Sequence, residues 1–214
     1  MKKLWKWVLS LCLAVSLTAC GSKTTTDAQQ KTVEDFLKAV QSYDMNAAKA
    51  LCTTDCTDDF EILTTAESFS MLYAVPMFSG ENFAKEGDQF IEDLYHSMIS
   101  EYKIGDITVE DDSTMVNVSL KMYNLSNFNE IMEEDAFYEL GQQLGTEHAE
   151  EVMDLYTTYG NTDEFQREIL NMFAADFFGF IKERLESNGY ADVNAVFTLE
   201  KDGDQWLISD LAQE

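Results

Sequence analysis

With 214 residues, 45% of them hydrophobic and 12% aromatic, the chain carries enough apolar material for one sizeable core or two small ones, which excludes a disordered main body. Its net charge of -26 excludes nucleic acid and anionic lipid surfaces as partners, because both would repel it and no basic stripe compensates. A cationic ligand, a basic protein or divalent cations stay compatible, and so does an acidic surface that only keeps an exported domain soluble.

The chain starts with Met1-Lys2-Lys3 and Lys6, followed by an apolar run from Val8 to Leu17. That run is short for a membrane span and reads as a secretory signal over residues 1–19. It ends in Leu17-Thr18-Ala19-Cys20, followed by Gly21-Ser22, which resembles the Leu-x-Ala-Cys lipobox of bacterial lipoproteins. The resemblance implies cleavage after Ala19, lipid on Cys20, and a domain held at the extracytoplasmic face of the cell membrane. Two or more acyl chains would anchor it stably, whereas one holds only marginally. Loss of three lysines and no acid would take the charge from -26 to about -29. Residues 20–31, the lipid-bearing cysteine and a polar stretch without aromatic residues, read as a flexible tether, leaving 32–214 as a single domain.

The first helix is expected to start at Thr32, a capping hydroxyl ahead of Glu34 and Asp35, with Val33, Phe36, Leu37 and Val40 at helical spacing. Ser42-Tyr43-Asp44 interrupts, and Asp44 can cap a short second helix through Ala47, Ala48 and Leu51. Residues 57–79 suggest partly buried helix ending near Pro76, the only proline. A clearer helix follows, with Phe83, Phe90, Ile91, Leu94, Tyr95, Met98 and Tyr102 on one stripe. The period then changes to two. Ile107 and Val109 alternate with polar residues before the turn Asp111-Asp112-Ser113, and Val116, Val118, Leu120 and Met122 alternate after it. The same pattern returns in Ala195, Phe197 and Leu199, then Asp202-Gly203, a strong hairpin signal, then Trp206-Leu207-Ile208. Between the hairpins, about 125–190 reads as a long helical insertion. One of its helices has Val152, Leu155, Tyr156 and Tyr159 on one face. The next, from Phe165 through Leu185, is apolar over more than one stripe, so it is central to the core or made for a partner. The fold class is therefore α+β: N-terminal helices on an antiparallel sheet of about four strands, with the insertion between its two hairpins.

No nucleophile, zinc or phosphate-cradling motif is present, so no catalytic residue, cofactor or metal is assigned. His96, beside Glu92 and Asp93, reads as a surface ion pair, and His148 lies in the acidic helix start Glu147, Glu150, Glu151. The insertion holds 15 acids against three bases, without the glycine-bent oxygen spacing of a divalent-cation loop. Asp176, flanked by Ala174-Ala175 and Phe177-Phe178, is a candidate ligand contact or buried acid. Cys52 and Cys56 stand one helical turn apart, which leaves a small disulfide or two thiols open.

The opening Thr32-Val33-Glu34-Asp35-Phe36-Leu37-Lys38-Ala39-Val40 with Tyr43-Asp44-Met45-Asn46-Ala47-Ala48, and the close Val196-Phe197-Thr198-Leu199-Glu200-Lys201-Asp202-Gly203-Asp204-Gln205-Trp206-Leu207-Ile208, resemble small lipoproteins with a nuclear-transport-factor-2-like, or cystatin-like, domain. The resemblance implies a curved sheet wrapped as a cone around N-terminal helices, and many such proteins have no known activity. The long insertion departs from the family's compact pattern. The sequence thus favours a lipid-anchored, non-catalytic binding or protein-interaction module, tied to the membrane through Cys20 and meeting an envelope protein through the Phe165 to Leu185 helix. The alternative is a small-ligand pocket in the cone.

Overall fold

A computed structural model describes residues 26–59, 61–110, 113–124 and 134–213. Residues 1–19, read as a signal segment, Cys20, and Asp111-Asp112, read as a turn, lie outside these described residues.

Helix α1 (Asp27–Gln41) starts five residues before the expected cap, so residues 27–31 are helical. The physical reason is visible in Gln29, which sits four residues before Val33 on the stripe formed by Val33, Phe36, Leu37 and Val40, and is itself buried. Ala28, Gln29, Gln30 and Lys31 are good helix formers, Gln30 bonds Glu34 at 2.8 Å, and Lys31 pairs with Asp35. Thr32, rather than capping, donates its hydroxyl to the carbonyls of Ala28 (3.1 Å) and Trp206 (3.3 Å). The helix ends in a Schellman turn: Tyr43 N–H bonds Val40 O and Asp44 N–H bonds Ala39 O, with Tyr43 at φ 58°. Asp44 then caps α2 (Met45–Ala50) as expected, accepting from Ala47 N–H at 2.9 Å.

Short helices α3 (Thr54–Asp59) and α4 (Glu61–Met71) and two 3-10 turns, Leu72–Ala74 and Pro76–Phe78, lead to α5 (Glu81–Met98). Strand β1 (Ile99–Glu110) follows without a loop, so Tyr102 belongs to the strand and not to the helical stripe. Ile99 and Ile104 favour extended backbone, and irregularities at Ile99/Glu101 and Ile104/Ile107 disturb the alternation that would have announced the strand. Strand β2 (Ser113–Tyr123) is followed, after the insertion α6 (Glu134–Glu147), α7 (Ala149–Tyr159), α8 (Asp163–Met172) and α9 (Ala174–Asn188), by β3 (Tyr190–Asp202) and β4 (Gln205–Gln213).

The sheet is antiparallel throughout in the order β1-β2-β3-β4, curved and covered by helices, as an α+β fold requires. Its centre, β2 against β3, pairs without a slip from Ser113↔Glu200 to Tyr123↔Tyr190. The expected alternation holds there: Val116, Val118, Leu120, Ala195, Phe197 and Leu199 are buried. Gly203 turns the last hairpin at φ 59°.

Two apolar cores result. The first joins α1 and one side of α5 to the sheet, with Phe36 set edge-on against Phe197 at 5.8 Å. The second joins the other side of α5 to the insertion through Phe83, Leu140, Leu144, Phe173, Phe177, Phe178, Ile181 and Leu185. Phe178 sits 4.9 Å from Phe83 and 5.3 Å from Phe90. Gly87 is what lets this cluster close. A Cβ there would meet Tyr73 Oη at 2.5 Å, Phe69 Cε1 at 3.0 Å and Phe178 Cζ at 3.1 Å.

Candidate interaction surface

The expected single helix from Phe165 to Leu185 is two helices, bent at Phe173 (φ -106°, ψ 29°). Phe173 and Ala174 are buried at the bend, and Phe177, Phe178, Ile181 and Leu185 pack onto α5. Most of the apolar face between Phe165 and Leu185 is thus core, and what it leaves to solvent is on α8. Asp176 stands half-buried in the first turn of α9, where a helix N-terminus favours a carboxylate.

Cys52 and Cys56 are both buried in the first core, with their side chains in hydrogen-bond contact. The Cys52 thiol points to Ala48 O at 3.5 Å, and burial pushes its pKa up to about 11 against a small lowering from its hydrogen bond with Cys56. Such a thiol is a poor nucleophile near neutrality. His96 keeps the surface role read from the sequence: Nε2 lies 3.6 Å from Glu92, while Nδ1 meets Gln41 O at 2.7 Å. His148 differs, because its ring packs on Phe173 with centroids 4.7 Å apart. Among the described residues no three His, Cys, Asp or Glu side chains converge as a metal site, and no helix is long and apolar enough to cross a membrane.

A dimple lies between α5, α9 and β2, lined by Phe90, Leu94, Ser97, Tyr123, Lys182 and Leu185. Its enclosed volume is only about 10 Å³, far below the roughly 300–1,000 Å³ of ordinary ligand pockets. Its rim is tied by Lys182 Nζ to Asp93 Oδ2 at 2.9 Å and by Tyr190 Oη to Ser97 O at 3.0 Å. The Lys182 hydrogen bond holds the Asp93 carboxyl below the usual carboxylate range, and Asp93 raises Lys182 in return. Burial first, then its bond with Tyr123, pushes the Tyr190 hydroxyl up to about 12, with the two rings stacked at 4.7 Å. This arrangement seals the junction of insertion and sheet.

The outer side of the insertion is different. On α7, Met153 and Tyr156, three residues apart on neighbouring parts of the helix surface, are 62% and 52% exposed. On α8, Phe165 is half-buried and Met172, two turns on, is 47% exposed. The two helices form a hairpin through Gly160-Asn161-Thr162, with Thr162 capping α8 at Phe165 N–H (3.3 Å), and Tyr156 meets Phe165 edge to face at 5.6 Å. Helix α8 also packs beside the Pro76–Phe78 turn, next to exposed Met71, Leu72 and Val75. Glu150, Glu151, Asp154, Asp163, Glu164 and Glu168 stand on the same two helices against one base, Arg167, which is paired with Glu168 at 2.9 Å. The face shared by Val152, Leu155, Tyr156 and Tyr159 is split: Val152 packs on the second core, but Tyr156 is exposed. Met172 belongs to the apolar helix read from the sequence, whereas Met153 was not singled out, although a methionine and a tyrosine at i, i+3 among acids was the available signal. No protein-family model matches the chain, and a search of curated proteins finds no similar sequence.

Proposed function

We propose that this chain is a lipid-anchored, extracytoplasmic, non-catalytic module that binds another protein of the envelope. The observation that carries the reading is the set of exposed apolar side chains Met153, Tyr156 and Met172 on the α7–α8 hairpin, whose inner side packs on the second core through Val152, Ile169 and Leu170. Apolar side chains held out to water in a group, with an ionic rim, mark protein contact surfaces. The lipobox-like Leu17-Thr18-Ala19-Cys20 supports the anchor. The resemblance to nuclear-transport-factor-2-like lipoproteins, with helices packed on a four-stranded antiparallel sheet, supports a scaffold that carries function on its additions.

The test is the non-denaturing mass of the protein extracted gently from its own membrane, compared with the mass of its denatured, delipidated chain. Added mass of protein size is the expected result. Added mass of metabolite size, or none, overturns the interaction reading. Cys20→Ser should move the protein out of the membrane fraction; retention there overturns the anchor.

A further inference from the structure

We infer that the α7–α8 hairpin receives a basic amphipathic helix of its partner protein, laid against Met153, Tyr156, Phe165 and Met172. The inference rests on the interaction reading and adds the partner's chemistry. Methionine and tyrosine supply an adaptable apolar surface, since the unbranched thioether re-packs around ridges of differing shape. The rim decides the sign of the partner's charge. Glu150 lies one turn before Met153, Asp154 directly follows it, and Glu164 and Glu168 flank Phe165 and precede Met172 on α8. Arg167 is engaged by Glu168, so the two helices offer five uncommitted carboxylates and no uncommitted base. An apolar strip with carboxylates on its flanks complements a helix that has Leu or Phe on one side and Lys or Arg on both shoulders. The same charge disfavours a second copy of this chain and an anionic lipid surface, each of which would bring like charge onto the strip.

The experiment has two arms. In the first, the purified full-length protein is titrated with a synthetic 18-residue helix of Leu and Lys at amphipathic spacing, and with its Leu and Glu counterpart. The expected result is saturable binding of the Lys peptide alone, weakened about 10-fold between 50 and 300 mM salt, and weakened at least as much by Met153→Ser with Met172→Ser. Both positions are exposed, so the double variant should keep the circular dichroism of the parent. Equal binding of both peptides, or binding indifferent to the two methionines, overturns the inference. In the second arm, a photo-crosslinking residue replaces Met153 or Met172 in intact cells, with exposed Ser119 on the sheet as control. A crosslink mapped to a Lys- or Arg-rich amphipathic segment of another protein is the expected result. A crosslink to a neutral or acidic segment, to lipid or to a second copy overturns the inference; a protein crosslink of the first kind still leaves the interaction reading standing. Crosslinking no stronger than at Ser119 overturns both.

Discussion

Thr114 is fully buried in β2 with no hydrogen-bond partner for its hydroxyl, in line with Val116 and Val118. A buried hydroxyl left unsatisfied costs about 1–3 kcal/mol, and valine has nearly the same shape. Thr114→Val should therefore stabilise the protein by about 1 kcal/mol, read as a rise of about 2–4 °C in the thermal midpoint. The Cys52 thiol makes a second, pH-dependent prediction. Its folded pKa of about 11 lies above the ordinary 9.0, so folding favours the neutral thiol. The contribution is whole below pH 9 and is lost as pH rises through about 11. Urea unfolding at pH 8, 9 and 10 should show stability falling over this window, and Cys52→Ala should flatten part of the fall. The raised pKa also leaves far less thiolate, so iodoacetamide at pH 8 should label folded Cys52 more than ~10-fold more slowly than the unfolded chain.

At the scale of elements, α5 is held at its start from outside. Gly80 precedes it with no side chain to cap it, and Asn171 of α8 supplies the missing acceptor: its Oδ1 takes Asn82 N–H at 2.8 Å and Phe83 N–H at 3.3 Å. Asn171→Ala should cost about 1 kcal/mol, a normal cap loss, measurable by chemical denaturation. A loss indistinguishable from zero would mean that water caps the helix as well. Gly87→Ala should also destabilise, by about 1–2 kcal/mol, since overpacking against Tyr73, Phe69 and Phe178 outweighs the better helix propensity of alanine. Neither role was legible in the sequence, because each depends on a neighbour brought from elsewhere in the chain. Local rules did find the Asp44 cap, the alternation of β2 and β3 and the hairpin at Gly203. They missed the division of α8 from α9, because Phe173 continues the apolar run with neither glycine nor proline to mark the bend. The interaction face was half legible for the same reason. The apolar excess of residues 165–185 was plain, but only α5 decides which part of it is covered.

The molecule as a whole carries 40 acids against 14 bases, and its folded state must hold them closer together than its unfolded state does. Self-repulsion of this kind is screened by salt. Raising sodium chloride from about 20 to 200 mM should raise the thermal midpoint by a few degrees, as the Debye length shrinks by about threefold. A midpoint unmoved or lowered would mean that the surface pairs, such as Lys31 with Asp35 and Lys182 with Asp93, offset the repulsion.

The unslipped pairing of β2 with β3 also sets a timetable. Tyr123 must find Tyr190 across the whole of α6 to α9, and α1 must wait for Trp206 of β4 to receive its Thr32 hydroxyl. A chain delivered from its N-terminus therefore has no completed sheet until β4 (Gln205–Gln213) has emerged, so the first core cannot close before then. Contacts so distant in sequence fold slowly. Loss of β4 would remove the strand on which the first helix rests, leaving the nascent chain pliable for as long as that strand is still being threaded.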